Sequence, residues 1–198
     1  MRSPPQADKE IQKDYLNLEV ILFFMHLNVE IKAHYSNSSF IRQYLLNSNA
    51  RFAGTDLQTD TYFNVGKGRM KLREGKIENA LIHYSRENIA GPKASEVILY
   101  EATNTAALKN LLTTALGIKV VVKKEREIYF IDNVKFHVDS VKGLGEFVEI
   151  EAIDYNGEFG KIKLQQQCSN YMSELKIEEK DLVHISYSDM LLEFKPDD

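Results

Sequence analysis

The most constraining feature of the chain is an alternation that runs through residues 133–154, NVKFHVDSVKGLGEFVEIEAID. Asn133, Lys135, His137 and Asp139 fall on one parity, and Val134, Phe136 and Val138 on the other. After a glycine-bearing turn, Glu149 and Glu151 again share a side, with Val148, Ile150 and Ala152 opposite. Residues two apart lie on one face of a β-strand, so this segment reads as a hairpin with one charged and one apolar face.

The pattern recurs. Strand-like runs occupy residues 26–33, 50–65, 69–74, 80–87, 96–102, 119–131, 133–141 and 146–154. Helical runs lie at 39–48, at 106–116 with Thr103 or Asn104 as cap and Gly117 as stop, at about 160–175, and in SDMLLEF near the end. This order predicts an α+β fold, with short turns such as IDNV suiting antiparallel hairpins. Along the strands the polar faces carry long cations: Lys32 with Glu30, then Arg69, Lys71 and Arg73, then Arg86, then Lys124 and Arg126. A wet sheet face has no reason to select cations and a few carboxylates over Ser, Thr and Gln. A closed barrel with a charged interior does, because a packed polyanion needs many cations, and closure removes open edges. The apolar faces are then expected to point outward, under the helices.

The remaining composition sets bounds. The 198 residues suffice for one domain with a sizeable core. The 25 Lys and Arg against 29 Asp and Glu leave a net charge of −4, which gives no hint of a bulk nucleic-acid or membrane partner. Any anion site must be a local concentration of charge. Cys168 is the only cysteine, so no internal disulfide forms, and a reducing, cytoplasmic setting is expected. Residues 1–24 read as an N-terminal extension, polar at first and then a short apolar run, with the domain spanning 25–198. Leu18–Leu27 is too short to span a bilayer and lacks the flanks of a signal peptide. Gly66-Lys67-Gly68 lacks the spacing of a P-loop, and Gly143-Leu144-Gly145 lacks the third glycine of a dinucleotide fingerprint. His137 reads as a satisfied polar residue, and Tyr187 with Met190–Leu192 as helix packing.

NVEIKA (28–33), GRMKLREG (68–75), VKKER (122–126), NVKFHVDSVKGLGEFVEIEA (133–152) and SYSDMLLEF (186–194) together resemble the CYTH, or triphosphate tunnel metalloenzyme, superfamily, nearest to its class IV adenylyl cyclase-like branch. The resemblance covers about residues 26–194 and is most specific over 133–152. It implies an eight-stranded antiparallel barrel, a triphosphate tunnel, flanked by helices. It implies Lys32, Lys71, Arg73, Arg86, Lys124 and Arg126 as phosphate ligands, with Arg69 and Lys135 of matching parity. It implies Glu30, Glu149, Glu151 and Asp139 as ligands of Mg²⁺ or Mn²⁺, and Asp139, Lys124 and Arg126 as catalytic. The first Glu of the family's opening Glu-x-Glu-x-Lys pattern is Asn28 here, which keeps an oxygen and removes a charge. At a basic family position of the fourth strand, Arg86 keeps the charge and changes its geometry.

The activity so implied is metal-dependent conversion of a triphosphate: ATP to cyclic AMP and pyrophosphate, or hydrolysis of tripolyphosphate, thiamine triphosphate or a nucleoside triphosphate. A triphosphate-binding module with little turnover is the further alternative that Asn28 suggests. The partner is a small triphosphate, with no nucleic-acid polymer and no membrane, and the chain is expected to be a monomer or homodimer. On this reading, changing Glu149 and Glu151 together to Gln removes turnover and spares the fold, because adjacent carboxylates repel.

Overall fold

A computed structural model describes residues 23–193 of the protein, apart from 87, 88 and 90. Eight strands form a closed barrel: β1 (Phe23–His34), β2 (Arg51–Phe63), β3 (Arg69–Glu74), β4 (Ala80–Ser85), β5 (Lys93–Glu101), β6 (Ile118–Ile131), β7 (Val134–Val141) and β8 (Gly145–Asp154). Their order around the ring is β1-β5-β4-β3-β2-β6-β7-β8, and β8 pairs back onto β1. Every pairing is antiparallel. Among the described residues the α-helices are α1 (Ser38–Asn47), α2 (Thr105–Leu116), α3 (Gly160–Glu174) and α4 (Tyr187–Glu193). Side chains at Asn37 and Asn104 cap α1 and α2 by accepting the N–H of Phe40 and Ala107. Among the described residues no helix is long and apolar enough to cross a membrane.

The eight strands and four helices thus stand as the alternation predicts, in an α+β barrel with a charged interior. β1 starts at Phe23, opposite Tyr100 of β5, so the strand begins two residues before the boundary expected at residue 25. The rest of the expected extension, residues 1–22, lies outside the described residues, as do the ends of the fourth strand run at 87 and of the last helical run at 194.

The apolar faces of β1, β7 and β8 point outward and are buried under α1 and α3. Val29, Ile31, Phe136, Val148 and Ile150 pack there with Ile41, Leu45, Leu164 and Cys168. α2 covers Phe63 and Leu72 in the same way. Three other strands depart from the expected pattern. β4 and β5 are apolar on both faces: Leu81 and Tyr100 pack outward near α2, while Ala80, Ile82, Tyr84 and Val97 point into the barrel and form a cluster with Leu99. Val120 and Val122 of β6 also turn inward, against Tyr62 and Met190.

The two ends of the barrel differ. At one, the chain after α3 crosses the opening: Leu182 bridges to Ala33, Val183 N–H donates to Lys32 C=O at 2.8 Å, and α4 fills the bore with Tyr187 and Met190. At the other lie the start of β1, the end of β8 and the β3–β4 turn, and the interior opens there as a cavity of about 660 Å³.

Candidate active site

The cavity runs along the barrel bore, so each functional side chain reaches it by strand parity alone. β1 contributes Asn28, Glu30 and Lys32; β3 contributes Lys71 and Arg73; β6 contributes Lys124 and Arg126; β7 contributes Lys135 and His137; β8 contributes Glu149 and Glu151. Arg86, just past β4, also lines it and pairs with Glu30.

Two charged clusters divide the bore. In the first, Asp60 of β2 collects three cations. It accepts from Arg73 Nε at 2.8 Å, from Lys124 Nζ at 2.7 Å and from Lys71 Nζ at 3.1 Å. Burial alone would raise the pKa of Asp60, but Arg73, Lys124 and Lys71 hold it well below the usual carboxylate range. Lys124 responds in the opposite sense. Burial pushes its pKa down to about 7; Asp60 resists this, and Arg126, Arg73 and Lys71 add to it. Arg73 and Lys71, joined by Lys124 when it is protonated, outweigh the one carboxylate, and an arriving polyanion can share the cluster.

Glu78 extends the cluster from the β3–β4 turn. Asp56 accepts the backbone N–H groups of Lys76, Ile77 and Glu78 and so folds the turn back over the bore. Gly75 makes room for that contact, since a Cβ there would collide with the Asp56 carboxylate. The Glu78 carboxylate then pairs with Arg73 Nη1 at 2.7 Å and with Lys135.

In the second cluster, Glu149 accepts from Lys32 at 2.9 Å, Arg126 at 2.6 Å and His137 Nδ1 at 3.1 Å. Burial opposes its ionisation, yet Arg126, Lys32 and His137 hold its pKa well below the ordinary value. Burial and Arg126 lower the pKa of His137, against the hydrogen bond to Glu149, which raises it. With Nδ1 facing Glu149, its Nε2 is buried without a hydrogen-bond partner among the described residues. Glu151 accepts from the amide of Asn28, whose own Oδ1 is likewise buried and unpartnered. Asn28, Glu30, Glu149 and Glu151 thus place oxygen donors on one side of the bore. Among the described residues no three His, Cys, Asp or Glu side chains are already arranged to hold a metal ion.

Two sequence-predicted residues stand apart from the cavity wall. Asp139 is buried behind it, with one oxygen accepting from Arg126 Nε at 2.7 Å and the other taken by Arg126 Nη2 and by the Tyr187 hydroxyl at 2.9 Å. That geometry orients Arg126. Arg69 lies toward the closed end and pairs with Asp189 of α4 at 2.8 Å.

Other contributors went unread in the sequence. Asp60 belongs to TDLQTDTYF, where Asp56, Gln58, Asp60 and Tyr62 alternate as regularly as Glu149 and Glu151, so its signal was present. Glu78 sits in a turn, where no periodicity marks it. Tyr187 packs, as expected of it, but its ring also forms the floor of the bore, with Lys32 Nζ 3.8 Å above the ring centre. Lys93 is wholly buried and fastens the closing segment by donating to the carbonyls of Val183 at 2.7 Å and His184 at 3.0 Å.

A family profile described as the CYTH domain matches residues 26–187. Among solved structures, the chain is similar to a protein of Pyrococcus horikoshii, with 21% identity, 82% of this chain and 98% of that one covered, and a TM-score of 0.70. It is similar also to a "putative adenylate cyclase" of Vibrio parahaemolyticus, at 17% identity, 84% and 98% coverage, and a TM-score of 0.70. A third likeness is to an adenylyl cyclase candidate of Hippeastrum described as having a dominant triphosphatase activity, at 12% identity, 84% and 94% coverage, and a TM-score of 0.56. At these identities the likeness is one of fold. The comparison with curated proteins finds no match.

Proposed function

The chain belongs to the CYTH domain family, and from that membership and the geometry of the bore we propose that it is a divalent-metal-dependent enzyme that cleaves a phosphoanhydride bond of a triphosphate. The observation that carries this reading is the convergence of Lys71, Arg73 and Lys124 on a single buried carboxylate, Asp60, inside a closed barrel. A triphosphate carries about three to four charges, and a preorganised cluster of excess cations is what binds it and stabilises charge on a transferring phosphoryl group. Arginine grips two oxygens; lysine acts as a point charge.

Mg²⁺ and Mn²⁺ take oxygen ligands, and Mg²⁺ in particular shares one or two carboxylates with substrate phosphates. Glu30, Glu149, Glu151 and Asn28 Oδ1 line one side of the bore and would be the residues to hold the ion, Glu30 and Glu149 on release of their present cation partners. When bound, the metal would supply Lewis-acid polarisation of the phosphate oxygens.

The proton acceptor on this reading is Lys124. With a pKa near 7 its amine is partly neutral at neutral pH, and an incoming polyanion raises its affinity for a proton. A water oxygen forms a bond to the terminal phosphorus, its proton passes to the Lys124 amine, and the bridging P–O bond breaks with its electron pair leaving on the diphosphate. Arg126, held by Asp139, and Arg73 neutralise the phosphoryl oxygens. Cyclisation of ATP is the second reading. It is favoured by His137, whose pKa is lowered and whose Nε2, without a hydrogen-bond partner among the described residues and 3.9 Å from Glu151, could accept a ribose hydroxyl proton. Product analysis separates the two. ATP, thiamine triphosphate and tripolyphosphate are incubated with and without Mg²⁺ or Mn²⁺, and orthophosphate, pyrophosphate and cyclic AMP are measured. Metal-dependent orthophosphate supports the hydrolase, and cyclic AMP with pyrophosphate supports the cyclase. No metal-dependent product from any of the three sinks the enzymatic reading.

A further inference from the structure

The cations line only part of the bore. β4 and β5 present an apolar inner wall of Ala80, Ile82, Val97 and Leu99, with the first three no more than 8% exposed. In the ring order, β5 and β4 stand four strands away from β6 and β7, so this wall faces Lys124, Arg126 and Lys135 across the cavity. It also adjoins the phosphate-side cations directly, because Ala80 pairs with Arg73 and Ile82 with Lys71. An inorganic polyphosphate gains nothing from such a surface. Its oxygens stay hydrated or sit against methyl groups that cannot hydrogen-bond to them. A flat, uncharged organic group gains by covering it.

A second observation points the same way. At the open end, His26 is only 9% exposed, yet its Nδ1 has no hydrogen-bond partner among the described residues, and its side chain lines the cavity. Its ring centre lies 5.3 Å from that of Tyr155, tilted by 47°, and Tyr155 is more than half exposed at the rim. A buried polar atom left unpaired in a native structure asks for a partner. Here it opens into a space bounded by an aromatic ring and an aliphatic wall.

We infer that the tunnel takes an organic rather than an inorganic triphosphate, with a flat heteroaromatic group seated against the β4–β5 wall and hydrogen-bonded at His26. The inference rests on the reading of the bore as a triphosphate site. The phosphates occupy the cation clusters and the organic group occupies the wall and the open end. Leu99 and His26 set specificity and take no part in breaking the bond.

The test is a comparison of affinities on the unaltered protein. Titration calorimetry with Mg²⁺ is run with ATP, thiamine triphosphate and tripolyphosphate. The expected result is a Kd at least tenfold lower for one of the two organic triphosphates, and which one it is identifies the group. Leu99→Gln and His26→Phe, each checked for an intact melting transition, are expected to raise the ratio of KM for that organic triphosphate to KM for tripolyphosphate about tenfold, the scale at which one apolar or hydrogen-bonding contact discriminates. Tripolyphosphate bound as tightly as both organic compounds overturns the inference and leaves the triphosphate site standing. So does a ratio unmoved in both variants. Binding of none of the three overturns the site itself and the inference with it. Should either variant fail to fold, the comparison on the unaltered protein decides alone.

Discussion

Asp60 and Lys124 meet 2.7 Å apart in the barrel interior, and the same carboxylate also holds Lys71 and Arg73. Without Asp60, three buried cations face one another with no counter-charge of their own. Removing one partner of a buried ion pair costs about 3–5 kcal/mol. Asp60→Asn is therefore expected to lower the melting temperature markedly. A bound polyanion replaces the lost charge, so added tripolyphosphate should raise the melting temperature of Asp60→Asn by more than it raises that of the unaltered protein. Equal shifts in thermal denaturation would show that the cluster does not receive the phosphates.

The lowered pKa of Lys124 gives a pH dependence with a definite sign. The amine is the base, so kcat/KM should rise with pH through about 7 and then level off. In Lys124→Arg the charge remains and the base is lost. Turnover should fall about 100-fold or more, and the limb near pH 7 should disappear from the profile. The same residue affects stability. Its folded pKa of about 7 lies below the unfolded value of about 10.4. Between these the unfolded chain binds the extra proton, so this group's contribution to stability rises with pH over that window. Urea denaturation of Lys124→Met from pH 7 to 9 should show a shallower rise than the unaltered protein.

The two carboxylates of β8 share a face but not an environment. Glu149 is bonded to Lys32, Arg126 and His137, whereas Glu151 accepts from the neutral amide of Asn28. The expectation that relieving their mutual repulsion spares the fold therefore changes for Glu149, whose loss leaves Lys32 and Arg126 without that partner. Glu149→Gln should cost about 3–5 kcal/mol of stability, and Glu151→Gln about 1 kcal/mol. Glu151→Gln is the cleaner probe of metal binding: near-normal unfolding with turnover restored only at raised Mn²⁺. Full turnover of Glu151→Gln at ordinary metal concentration would contradict its proposed role.

Why the barrel was legible and parts of its interior were not follows from the same periodicity. Strands with one charged and one apolar face, such as Lys135–His137 against Val134–Val138, announce which side is inward once closure is assumed. β4 and β5 escape this logic. Ala80 and Ile82 share parity with Tyr84, so an apolar residue pointing inward looks the same in sequence as one pointing outward to a helix. Glu78 reaches the bore only because Asp56 folds its turn, a contact between residues 22 apart that no local pattern carries. Asp139 was placed on the correct face, but alternation does not reveal that Arg126 and Tyr187 occupy its oxygens.

Asn28 offers a last test, because its two ends do different things. The amide nitrogen donates to Glu151, while Oδ1 is buried without a partner among the described residues, and the residue is 2% exposed. In Asn28→Glu the donor to Glu151 is replaced by a third carboxylate beside Glu30 and Glu151. Without a divalent ion, like charges crowd a buried space, so the metal-free variant should melt below the unaltered protein. With Mg²⁺ or Mn²⁺ present, the added charge strengthens the oxygen donor set. The melting temperature of Asn28→Glu should then rise with metal concentration more steeply than that of the unaltered protein, since a ligand that binds only the folded state stabilises it by mass action. Calorimetry should show the same change as a lower Kd for Mn²⁺, without any substrate. If Asn28→Glu is destabilised and metal does not restore it, the oxygens on this side of the bore do not form a cation site, and Asn28 serves chiefly to hold Glu151 in place.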